Sequence, residues 1–205
     1  MEKEGILSKT AYDFSKKVDV IQTIIIALLA FLVPTFLGKL LSIIFGAQSF
    51  VATNSQLIVG SIVNCALVVS AINLKGWKKI LFVVTMPSIS TIASGYIFGP
   101  LSLPMVYMIP AIWAGNFALI YAFKYIMLKK QKNYFLAGVV GIVLKVAIIF
   151  GFFSILNAFG AFPAKAVATL QKSMSLIQLI TATVGTILAF GIYKAEGVNQ
   201  KEIKE

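Results

Sequence analysis

Six stretches of mostly apolar residues, each near or above the length of a membrane span, follow one another along this chain. Between Val20 and Ala195 there is not one carboxylate. A helix crosses a hydrocarbon slab about 30 Å thick with about 20 apolar residues. Segments of that length are too long for barrel strands, and a helix satisfies its own backbone polar groups where water is absent. The stretches run roughly over 20–46, 55–74, 79–98, 102–127, 134–158 and 174–193. They predict an all-α, polytopic membrane protein of six transmembrane helices. It forms a single membrane domain over 1–205: a polar N-terminal segment (1–19), a six-helix bundle (20–193) and a tail (194–205). Composition agrees, with 12% charged residues against about a quarter in soluble domains. The polar opening is too long and too acidic for a signal-peptide n-region, and "IIIALLAFLVPTF" lacks a small-residue cleavage site. The first apolar segment is therefore expected to be retained.

Lysine placement sets the expected orientation. Lys3, Lys9, Lys16 and Lys17 precede the first segment, and Lys75, Lys78 and Lys79 separate the second from the third. Lys129, Lys130 and Lys132 separate the fourth from the fifth, and Lys194, Lys201 and Lys204 follow the last. The remaining connections hold only Lys165 and Lys172. Basic residues favour the cytoplasmic side, so a multi-pass plasma-membrane protein with both termini cytoplasmic is expected. The net charge of +11 belongs to this asymmetry. With no arginine and no basic soluble face, the expected surroundings are a lipid bilayer, and no nucleic-acid partner is expected.

Several chemistries lose their residues. One cysteine, Cys65, cannot form an internal disulfide or a metal-binding cluster, and histidine is absent. No metal site and no cofactor is expected. Without an intramembrane carboxylate or a histidine, neither paired-carboxylate chemistry nor a nucleophile–base triad can be assembled in the spans. No GxxxxGK[ST] sequence occurs. The chain reads as a non-enzyme.

The least ordinary stretch is "MPSISTIASGYIFGPLSLPMVYMIPAIWAGN" (86–116), which holds Pro87, Pro100, Pro104 and Pro110. Prolines in spanning helices free carbonyls that neighbours or a cavity must satisfy. Two readings stand: two helices joined by a tight Gly-Pro turn, or a hairpin lining an externally open cavity. In the second, Tyr96, Tyr107, Trp113 and Asn116 would supply aromatic contact and amide hydrogen bonds. Asn64 in the second span poses the same choice between helix packing and ligand contact. In the external fifth-to-sixth connection, "AKAVATLQKSM" predicts a short amphipathic helix, lying either on the bilayer or as a lid.

Lys145 stands in "GIVLKVAIIF", about eleven residues, or roughly 16 Å, from either end of its span. A cation at that depth costs about 2.5–3.5 kcal/mol on the insertion scale. No carboxylate in the spans can answer it. The candidates are freed carbonyls, Asn or Ser oxygens, water or an anionic ligand, or else the amine is neutral. Lys39, in the outer part of the first span, is explained by snorkelling.

The layout resembles the substrate-binding S components of energy-coupling factor (ECF) transporters. The local carriers are the Gly-Pro turn in "SGYIFGPLSLP" and the Pro-x-x-x-x-Gly-Asn run in "MIPAIWAGN". The resemblance implies capture of a small organic substrate (a vitamin, precursor or related micronutrient) from outside. A transmembrane coupling subunit and cytoplasmic ATPases would drive its release. It also implies a small-residue docking pattern on the first helix, which Thr23, Ala27 and Ala30 approximate. The missing histidines argue against the metal-binding branch. The alternative is a non-catalytic anchor or assembly subunit of a larger membrane complex. The two differ in whether Lys145, Asn116 and Trp113 converge on a pocket or form an outward stripe.

Overall fold

The computed structural model describes residues 5–94 and 104–202, with side chains given for 5–90 and 105–197. It is helical, and no strand occurs among the described residues. The first helix, α1 (Lys16–Leu32), starts where the Ser15 hydroxyl accepts from the Val18 N–H. It runs through a π-helical turn (Val33–Leu37) into α2 (Gly38–Phe45). Pro34 causes that turn, because it has no N–H to donate and its ring crowds the preceding carbonyls. Beside it the Phe31 carbonyl accepts from two hydroxyls, Thr35 at 2.7 Å and Ser90 at 2.5 Å.

A short helix, α3 (Phe50–Thr53), leads into α4 (Ser55–Asn73), and α5 (Trp77–Ser94) returns. A 3₁₀ turn (Pro104–Met108) opens α6 (Ile109–Ala122), which continues as a π-helical stretch (Phe123–Lys129). Then come α7 (Tyr134–Ala158), α8 (Ala164–Met174) and α9 (Leu176–Glu202). Pro110 falls in the first turn of α6, where a missing N–H leaves nothing unpaired. It does not kink the helix.

Among the described residues five stretches are long and apolar enough to cross a membrane: Lys16–Phe45, Ser55–Asn73, Met105–Lys129, Tyr134–Ala158 and Ala164–Gly197. The molecule therefore has the build of a polytopic helical membrane protein. The third expected segment, 79–98, corresponds to α5, which is not among the five. Its described part has 18 residues and opens on Lys78 and Lys79.

Helix α4 occupies the centre, with Val59, Leu67, Val68, Ala71 and Ile72 all at most 2% exposed. Glycines permit its close approach to α9. A Cβ on Gly185 would lie 2.5 Å from the Asn64 Cβ and 2.6 Å from the Ser61 carbonyl oxygen. Small residues at a helix interface are what draws helices together where lipid offers no hydrophobic drive. The outer faces of α1 (Ile21, Ile24, Ile25, Leu28) and α7 (Val139, Val143) are exposed and apolar, as lipid requires.

The first described residues and the last turns of α9 lie at one end of the bundle. Residues 5–14 cross that end as a strap. Ala11 N–H donates to the Ile72 carbonyl, Gly76 N–H to the Leu7 carbonyl, and the Tyr12 hydroxyl to the Tyr193 carbonyl at 2.5 Å. Burial, and then the charges at Tyr193 and Glu196, push the Tyr12 phenol up to about 12. At the opposite end, α8 turns Ala166, Leu170 and Met174 onto Met105, Met108, Ile149, Phe153 and Phe162. This second apolar cluster seats α8 on the bundle itself.

Candidate functional site

Between these two ends the helices leave a cavity. It lies in the half of the bundle away from the termini, because it is bounded by the early turns of α4, α6 and α9 and the later turns of α5. Water centres can occupy about 100 Å³ of it. One water needs about 10–15 Å³ on that measure, so the space suits several waters or a small organic molecule.

Lys145 reaches this cavity from the middle of α7. Its side chain is 2% exposed, and Nζ donates to Asn64 Oδ1 at 2.5 Å. Asn64 is held in turn: its Nδ2 donates to the Gly60 carbonyl at 2.8 Å and to Thr181 Oγ1 at 3.3 Å. The Thr181 hydroxyl donates to the Ile177 carbonyl at 2.8 Å. A chain of hydrogen bonds thus runs from α9 through α4 to α7. The tight seat of Gly185 against Asn64 fixes the distance over which it acts. A lysine ammonium has three N–H donors, so this bond leaves two for other acceptors.

Asn116 of α6 is 2% exposed and lines the same cavity. Ser88 of α5 lines it too, at 5% exposure, and its Oγ has no hydrogen-bond partner among the described residues. Gln56 and Gln178 add amides to the lining, with Pro34 and Pro87 beside them.

The residues expected from the sequence therefore separate. Lys145, Asn64 and Asn116 come together. Trp113 does not line the cavity. It packs half-buried against the main core, with a buried Nε1 that has no partner among the described residues. Tyr107 is 60% exposed and turned away. It sits in the 3₁₀ turn, whose three-residue repeat sets a different facing from the α-helical one assumed from sequence. Tyr96 lies outside the described residues. The docking role expected of Thr23, Ala27 and Ala30 meets a correction, since they are 8%, 4% and 0% exposed and face the bundle interior. Their small side chains let α1 close on its own neighbours, so they offer no free face to another subunit.

Sequence reasoning missed Ser88, Gln56, Gln178 and Thr181. The two glutamines were visible as amides in apolar runs. Ser88 and Thr181 were indistinguishable from ordinary small packing residues. Also missed was the burial of Lys124, which is 0% exposed near the terminal end and donates to the carbonyls of Lys9 and Leu74. Beside it Lys79 pairs with the buried Asp19, and Asn73 donates to the Glu196 carboxylate at 2.8 and 3.0 Å.

Among the described residues there is no cluster of three His, Cys, Asp or Glu side chains that could hold a metal ion. Comparison with protein-family models, with curated proteins and with solved structures finds no match for this chain. What the geometry itself defines is a helical membrane bundle with a mostly apolar internal cavity that a few polar side chains reach.

Proposed function

We propose that this chain is an integral membrane substrate-binding subunit. It captures a small organic solute (a vitamin, precursor or related micronutrient) from outside the cell. In this reading the protein spans the plasma membrane six times, with α5 as the additional span and both termini cytoplasmic. A transmembrane coupling subunit and cytoplasmic ATPases supply the energy for uptake. Supporting the reading is one observation above the rest: Lys145, Asn64, Asn116 and Ser88, from four helices, converge on a single cavity away from the termini. An anchor would turn such groups outward to a partner helix. The seating of α8 against Met105 and Met108 supports its role as a lid over that cavity.

The test is native mass spectrometry of gently purified full-length protein, followed by a thermal-shift screen of vitamins, their precursors and other small metabolites. One tight binder is expected, with stabilisation lost in Lys145→Met and in Asn116→Leu. If nothing small binds and a stoichiometric membrane partner other than a coupling subunit co-purifies, the anchor reading replaces this one.

A further inference from the structure

We infer that the solute is a compact monocarboxylate with an aliphatic body. The inference rests on reading the cavity as a solute-binding site. It follows from the balance of donors, charge and wall chemistry around Lys145.

Donors from three helices gather at the deep end. Lys145 has two N–H groups beyond the one given to Asn64, the Ser88 hydroxyl has no described partner, and the Asn116 amide faces the same space. A carboxylate offers two oxygens with about four lone-pair sites, which matches donors arriving from three helices. Charge-assisted bonds of this kind are roughly twice as strong as neutral ones.

Charge points the same way. No carboxylate exists between Val20 and Ala195, and the acids at the span ends, Asp19 and Glu196, are engaged by Lys79 and Asn73 rather than by Lys145. A buried ion pair is tolerable when further hydrogen bonds complete it, and an anionic ligand would bring the missing partner already surrounded by donors. A cationic solute would meet Lys145 with no acid to offset it.

The walls give the body of the molecule. Val59, Val63, Ile112, Met105, Met174 and Ile177 are aliphatic or thioether side chains, and no aromatic ring is among the described lining residues. Such walls pack against an alkyl chain, whereas a flat heterocycle gains most from stacking on rings. Gln56 lies two helical turns from Asn64 on α4, about 12 Å along the axis. Its amide and that of Gln178 can take a hydroxyl or carbonyl at the far end of the solute.

The experiment compares butanoate, isovalerate and hexanoate with their uncharged amides, with choline and with adenine. Binding to full-length protein and to its Lys145→Met and Ser88→Ala variants is read by thermal shift and native mass spectrometry in one detergent. At least one acid is expected to bind about tenfold or more tighter than its amide. That preference disappears in Lys145→Met. In Ser88→Ala, a change too small to unfold the bundle, acid binding weakens severalfold. If adenine or choline binds wild type more tightly than every acid, the carboxylate inference falls while the solute-binding reading stands. If a wider metabolite screen also finds no small binder and a membrane partner other than a coupling subunit co-purifies, the solute-binding reading falls and takes this inference with it. Equal loss of acid and amide binding in Lys145→Met would overturn the inference too, since it would make the lysine merely structural.

Discussion

Two lysines are buried among the described residues, and they are answered differently. Near the termini, Lys124 gives its ammonium to the backbone carbonyls of Lys9 and Leu74, with the Asp19–Lys79 pair close by. Its bonds run from a spanning helix to the strap and to the end of α4, so it works as a rivet. Lys145 has one side-chain acceptor, Asn64, and otherwise faces a cavity. The lesson is that burial alone does not make a lysine functional. Donors left over, facing a space a molecule can enter, are the better sign.

Replacing each lysine with methionine would test that contrast most severely. Lys145→Met should abolish solute binding while leaving unfolding stability within about 1 kcal/mol, since water in the cavity can reach the released Asn64 oxygen. Lys124→Met should do the reverse. Two carbonyls lose a buried donor, at about 1–3 kcal/mol each, so thermal unfolding should drop sharply while solute binding survives. Limited proteolysis of residues 5–14 would report the loosened strap. If both variants lose stability and binding to the same degree, the distinction between the two lysines is wrong.

A smaller effect is expected from Gly185→Ala. The added methyl meets the Asn64 Cβ and the Ser61 carbonyl, so α4 and α9 must separate at a cost of about 1–3 kcal/mol. Because Asn64 moves with α4, binding should weaken as well, whereas proteolysis of the strap should not change. Unaltered binding would detach the Asn64 chain from the site.

The smallest effect belongs to Tyr12→Phe, which removes one hydrogen bond worth about 1 kcal/mol. Tyr12 also predicts a pH dependence. Its phenol is held above the usual 10.0 in the folded chain, so the folded state binds that proton more tightly than the unfolded one. The stability this contributes is full below about pH 10 and is lost as pH rises through about 12. Absorbance titration should show one fewer late-ionising tyrosine in Tyr12→Phe, together with loss of the part of the alkaline loosening that depends on it.

Much of this was legible before any coordinates. An amide or an amine in an apolar run is conspicuous, which is why Lys145, Asn64 and Asn116 could be named from sequence. The spans were readable for the same reason, since apolar length is a local property. Contacts between distant segments were not. Nothing in "AFKYI" says that Lys124 will be roofed by carbonyls 50 and 115 positions earlier. The resemblance pointed to Thr23, Ala27 and Ala30 as small residues that permit close approach, but small size carries no information on whether the approaching helix belongs to the same chain. Ser88 was hidden because a hydroxyl in a spanning helix usually bonds its own backbone, as Thr23 does with the Asp19 carbonyl at 2.7 Å.

The strap also constrains how the protein is made. Tyr12 is joined to Tyr193, 181 residues later, and Lys9 to Lys124, 115 residues later. The partners arrive in stages: Ile72 and Gly76 are synthesised early, Lys124 later and Tyr193 near the end. The strap can therefore settle first on the end of α4, and its closure is completed only once the final helix is in place.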